Sequence, residues 1–130
     1  ITPSRRTPES AKRYLMDLFS NNPSVYVWDF QGSNPYFGIL ATADAFVVTC
    51  DSVSMVSELC STDKPVYVID LPGSNAKFNK FHKLMREIGR TELFNPNIDI
   101  RSVSPYKPLQ EMDALITQCK AALKRISEQK

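Results

Sequence analysis

Apolar residues follow two rhythms along this chain. Val25–Trp28, Phe46–Thr49 and Pro65–Leu71 are short runs of consecutive apolar, β-branched or aromatic residues, and they read as buried strands. Between them apolar residues recur at threes and fours. Ala11, Tyr14, Leu15, Leu18 and Phe19 predict one helix, started by Thr7-Pro8-Glu9 (Thr7 as cap, Pro8 as first helical residue) and stopped by Asn21-Asn22-Pro23. Helices are also expected over 36–43, 52–61 and 77–88. The last carries Phe78, Phe81, His82, Met85 and Ile88 on one side and has Gly89 past its end. Residues 90–107 carry Pro-containing turns and one short strand near Leu93. A final helix over 108–127 presents Leu109, Met112, Ile116, Cys119, Leu123 and Ile126 as a strip that docks on something.

Strand and helix thus alternate, the signature of an α/β fold: a Rossmann-like, doubly wound parallel sheet covered on both faces. The length of 130 residues suits one domain, 1–130, with 108–127 as its docking helix. The chain lacks an initiator Met and opens directly on a loop-like segment, so it reads as a carboxyl-terminal fragment of a larger protein whose upstream sequence supplies at least one more strand.

Charge and composition narrow the partners. A net charge of +2 is too small to point to nucleic acid or an anionic membrane. No run approaches the ~20 apolar residues that span a bilayer. Three cysteines, Cys50, Cys60 and Cys119, form no CxxC pair; no metal site or disulfide framework is expected, Cys50 and Cys60 read as small core hydrophobes, and a reducing, cytoplasmic setting fits.

The loops are unequal. Those after helices are plain (SNNP, ATAD, STDK), whereas those after expected strands are rich in Gly, Ser, Asn, Asp and Arg (TPSRRTP, DFQGSNP, TCDSVS, DLPGSN). In a parallel sheet the second kind gathers at the carboxyl edge, where open α/β sheets bind ligands. Ser4, Arg5, Arg6 and Thr7 lead into a helix whose free amides favour an anion, with two guanidinium groups to clasp phosphate; alternatively they form an exposed basic turn in which Thr7 only caps. Asp51, Ser52, Val53 and Ser54 could cradle a diphosphate on their amides, or Asp51 or Ser52 could simply cap the next helix. Glu58 either accepts from a ribose hydroxyl or is a solvated acid. Asn34 reads first as a cap and second as a ligand-binding residue, and Tyr36 or Phe37 could stack on a base. Asp70, Pro72 and Gly73 read as turn chemistry, and His82 as a satisfied core histidine. No Ser/His/Asp set, HExxH, GxGxxG or Walker loop is present, so no self-contained catalytic constellation can be assigned.

SRRTP at 4–8, NPYFGILATAD at 34–44, VVTCDSVSMVSE at 47–58, KPVYVIDLPG at 64–73 and KFNKFH at 77–82 occur in the order of one family. Over residues 1–90 the chain resembles the plant mitochondrial-fission-factor (elongated-mitochondria) family and its bacterial relatives, which are labelled predicted nucleoside-diphosphate-sugar epimerase. The resemblance implies the second domain of a glycosyltransferase-B-like protein, partnered by a missing amino-terminal domain. The block at 43–72 also resembles the nucleotide-sugar-binding segment of such transferases. There 51–54 would meet the diphosphate of a nucleoside diphosphate or nucleotide-sugar, and Glu58 the ribose. The family pattern of Arg-Ala-Gly or Gly-Gly is replaced by Cys50-Asp51-Ser52, which puts a carboxylate beside the expected diphosphate. For a eukaryotic member the resemblance also implies work at the cytosolic face of the mitochondrial outer membrane, as an adaptor that recruits a dynamin-related GTPase.

Overall fold

The computed structural model describes residues 1–73 and 76–99, and the expected docking helix at 108–127 lies outside the described residues. The chain divides into two compact units, Ile1–Thr42 and Ala43–Lys130.

The first unit holds two helices, α1 (Glu9–Phe19) and α2 (Tyr36–Thr42). The start of α1 departs from expectation. Pro8 is the cap, at φ −56° and ψ 144°, and no side chain bonds the first-turn amides. Its carbonyl accepts from Ala11 and Lys12. The Thr7 hydroxyl is unavailable for capping because it faces back and accepts from the Ser4 amide at 2.9 Å. The apolar face expected of α1 buries no residue, and Tyr14 (65% exposed) and Leu18 (55%) stand in solvent.

Val25–Trp28 forms neither a strand nor a buried segment. Among the described residues its ladder-like contacts are with Ile1, which donates to the Tyr26 carbonyl and accepts from the Trp28 amide at 3.0 Å. That is one rung of pairing, and a strand needs successive rungs.

The second unit contains the sheet: β1 (Phe46–Thr49), α3 (Val53–Cys60), β2 (Val66–Ile69), α4 (Ala76–Glu87) and β3 (Glu92–Leu93). All pairs are parallel, in the order β1-β2-β3. The register sets Phe46 beside Val66, Val48 beside Val68 and Val68 beside Leu93. The expected α/β alternation and parallel pairing therefore hold here. Both crossovers step the same way across the sheet among the described residues.

The core is Phe46, Val48, Val56, Leu59, Cys60, Val66, Tyr67, Val68 and Met85, with β2 at its centre. Each fully buried aliphatic side chain contributes about 1.5–3 kcal/mol. Coverage is uneven, however. β1 alternates buried and exposed positions, and Val47 is 45% exposed, so this strand has one open face rather than two covered ones. Ile88, expected on the inner side of α4, is 50% exposed. Past the end of α4, Gly89 takes φ +70°, and the Arg90 and Thr91 amides donate back to the Met85 carbonyl, the left-handed helix ending that favours glycine.

Tyr67 is fully buried, and its hydroxyl has no partner among the described residues. Burial, and then the negative charge of Glu92, raise its pKa above the ordinary value of 10.0. An unfolded chain loses this proton near pH 10 while the folded one keeps it, so stability is intact below about pH 10 and falls as pH rises toward the raised folded value. Tyr67→Phe is expected to hold or raise stability at neutral pH, by up to about 1 kcal/mol, because an unpaired buried hydroxyl costs free energy. It should also flatten the alkaline loss. Urea denaturation on either side of pH ~10 measures both effects.

Candidate functional site

β1 and β2 run parallel, so the turns that follow them emerge at one edge of the sheet. Cys50 ties these turns together. Its amide donates to the Ile69 carbonyl at 3.0 Å, and its Sγ accepts from the Leu71 amide at 3.2 Å. Its carbonyl accepts from Nε2 of His82 at 2.7 Å. A carbonyl can only accept, so Nε2 carries a hydrogen. His82 is 2% exposed and packs edge-on against Phe81, while its Nδ1 has no partner among the described residues. The expected core histidine is therefore present, and it fastens α4 to the end of β1. Cys50 and Cys60 are buried thiols, as small core residues would be, yet both also engage in hydrogen bonding.

Asp51, Ser52, Ser54 and Glu58 share the β1–α3 turn and the helix it opens. Ser52 is the cap of α3: in an extended conformation, its hydroxyl accepts from the Met55 amide at 3.4 Å. The amides of Val53 and Ser54, in the first turn, have no acceptor within the helix, as at any helix start. The Asp51 carboxylate is drawn back along the chain, where it accepts from the Thr49 hydroxyl at 2.5 Å. Ser54 and Glu58 are exposed, while Val56, Leu59 and Cys60 form the buried side of α3, as expected. Beside this turn, Gly73 adopts φ +85°, which closes the Asp70–Gly73 turn as glycine permits.

Ser4, Arg5, Arg6 and Thr7 belong to the first unit and form their own turn. The Thr7 amide donates to the Ser4 carbonyl at 3.0 Å, and the Arg6 amide to the Ser4 hydroxyl at 3.2 Å. The Thr7 and Arg6 amides are therefore used within the turn itself. Those at the start of α1, Glu9 and Ser10, have no acceptor within the helix. Arg5 and Arg6 are exposed. Asn34 caps α2 by accepting from the Tyr36 amide at 3.0 Å, the first of its two readings. Of the two candidate stacking rings, Phe37 is 80% exposed and meets Tyr36 edge-on.

Two features escaped the pattern reading. Arg90, 4% exposed, sends Nη2 to the carbonyls of Cys60 (2.7 Å) and Thr62 (3.0 Å), placing a cation at the negative end of α3. In the first unit, Pro3, Glu9, Lys12, Met16, Trp28, Asp29 and Phe30 line a cavity of about 140 Å³. Trp28 and Phe30 stack at 4.4 Å with a 32° tilt, and the Lys12 ammonium lies 4.3 Å over the Phe30 ring. Phe30 holds φ +69°, a left-handed conformation that costs a bulky residue on the order of 1–3 kcal/mol. Glu9, Lys12 and Met16 at helical spacing and the chain's single Trp were the available signals.

The sheet and its joined turns define an α/β protein with a parallel sheet and hydroxyl-bearing turns at its carboxyl edge. The chain belongs to the mitochondrial fission ELM1 family, whose model matches residues 1–123. It is similar to the mitochondrial fission protein ELM1 of Arabidopsis thaliana, 42% identical over 95% of this chain and 29% of that protein. It is also similar to an uncharacterized protein of Rickettsia prowazekii (strain Madrid E), 34% identical over 95% of this chain and 36% of that protein. The chain thus spans about a third of the length of these curated relatives. No solved structure matches it. Among the described residues no helix is long and apolar enough to cross a membrane.

Proposed function

We propose that this chain is a Rossmann-like, glycosyltransferase-B-like module that holds the phosphates of a nucleoside diphosphate or nucleotide-sugar at the carboxyl edge of its sheet. The observation that supports it most is the Cys50 junction, which joins the β1–α3 turn to the turn after β2 and to α4, while the first amides of α3 have no acceptor within the helix. Val53 and Ser54 would donate backbone hydrogen bonds to phosphate, and the Ser54 hydroxyl a further one. Glu58, one turn on, would accept from the ribose. Arg5 and Arg6, exposed in the first unit, would offer a phosphate cationic donors of their own. A complete reaction would call on the amino-terminal domain of a longer protein.

A thermal-shift screen of the full-length protein against UDP, GDP, ADP and their sugars is expected to raise the melting temperature with at least one; a flat screen removes the proposal. Ser54→Ala is expected to weaken that ligand by about 1–3 kcal/mol, read by titration calorimetry, with little change in stability. Ser52→Ala is a poorer probe, since losing the cap alone costs about 1 kcal/mol of stability.

A second reading is favoured by the Arabidopsis relative, which is named a mitochondrial fission protein. In it the fold is kept and the chain acts as an adaptor that recruits a dynamin-related GTPase at the cytosolic face of the mitochondrial outer membrane. Pull-down of that GTPase by the full-length protein, lost on Leu123→Asp with the fold intact, separates this reading from the first.

A further inference from the structure

Beyond the sheet edge, we infer that the first unit carries a site of its own for a planar, uncharged heterocycle such as a nucleobase, in the cavity between α1 and Trp28–Phe30. The proposal stands apart from the phosphate reading, because every lining residue belongs to 1–42.

The cavity's chemistry excludes the simpler ligands. A phosphate would meet two carboxylates, Glu9 and Asp29, against one ammonium, Lys12. A second organic cation would meet the Lys12 ammonium, which already lies over Phe30 and pairs with Glu9 at 3.5 Å. What remains is a flat ring that stacks on an aromatic face and both gives and takes hydrogen bonds. Phe30 covers one face of the Trp28 indole, and Trp28, half-buried, still lines the cavity. Asp29 accepts from the Gln31 amide through Oδ1 at 2.9 Å, which fixes the carboxylate at the rim. It would accept from ring or exocyclic N–H groups, and Lys12 would donate to a ring carbonyl. A volume of about 140 Å³ is several water molecules' worth and suits one ring system rather than a whole cofactor.

The backbone supports the same reading. Phe30 is the only described non-glycine residue with positive φ, and such outliers gather at ligand sites. The turn it makes sets its ring between Trp28 and Lys12, keeping both in place for an incoming base.

The test is a calorimetric titration of the full-length protein with adenosine, guanosine, uridine and cytidine, beside inorganic phosphate and the matching diphosphates. At least one nucleoside should bind saturably, and phosphate should not compete with it. Trp28→Leu should weaken that nucleoside roughly tenfold or more, since base–aromatic stacking is worth ~1–3 kcal/mol per base. Asp29→Asn keeps an oxygen for the Gln31 amide and removes the charge; it should weaken nucleosides severalfold while circular dichroism stays unchanged. No saturable nucleoside, or a nucleoside indifferent to both Trp28→Leu and Asp29→Asn, overturns the site. Diphosphates that bind no better than nucleosides count against the sheet-edge reading and leave this one standing.

Discussion

Arg90→Leu is expected to destabilise the second unit by about 2–4 kcal/mol, because one buried and one part-buried carbonyl lose a charged donor at once. Those carbonyls, of Cys60 and Thr62, lie at and just past the end of α3, where the helix dipole is negative. The Cys60 thiol also reaches the Arg90 carbonyl at 3.7 Å, so the two residues hold each other across 30 positions of sequence. Arg90→Lys keeps a charge and enough donors, but its shorter, flexible stem holds the nitrogen between the two oxygens less firmly than the planar guanidinium does, and it should fall between wild type and leucine. Hydrogen exchange should show the extra opening in α3 and β2 rather than in α1. An Arg90→Leu protein as stable as wild type would mean that the guanidinium is idle.

His82→Ala is expected to cost about 2–4 kcal/mol, through the space left by a fully buried ring and the loss of the donor to Cys50. Its effect should extend to the sheet edge. With the Cys50 carbonyl released, the β1–α3 turn loses its tether to α4. Affinity for the phosphate ligand should therefore fall as well, although His82 itself would touch no ligand. His82→Gln can place an amide nitrogen near the position of Nε2 and should recover part of both losses. Urea titration and calorimetry on the same preparations check the pair. A His82→Ala protein that loses stability and keeps full affinity would separate the tether from the site.

What the sequence disclosed follows from how local each signal is. Phe46–Thr49 and Val66–Ile69 were legible because strands in parallel pairing are bounded by polar turns and need no partner's identity to be recognised. Ser52 and Gly89 were legible because a hydroxyl before a helix and a glycine after it have few other uses. Val25–Trp28 has the same composition as those strands, but a strand exists only through its neighbour, and Ile1 supplies a single rung. Thr7 was misread for a related reason: Ser4 stood three residues upstream as a competing partner, and the Pro8 carbonyl took over the helix start. Arg90 and the Trp28–Phe30–Lys12 cluster depend on contacts that sequence spacing cannot reveal. Cys50 was recognised as a buried small residue, but its three hydrogen bonds at the sheet edge follow from the fold alone.

The most direct measurement is a crystal structure of the full-length protein grown with a saturating nucleoside diphosphate. Phosphate oxygens are expected within about 3 Å of the Val53 and Ser54 amides at the start of α3. A diphosphate ordered elsewhere, with that turn left to water, would contradict the proposed use of the sheet edge.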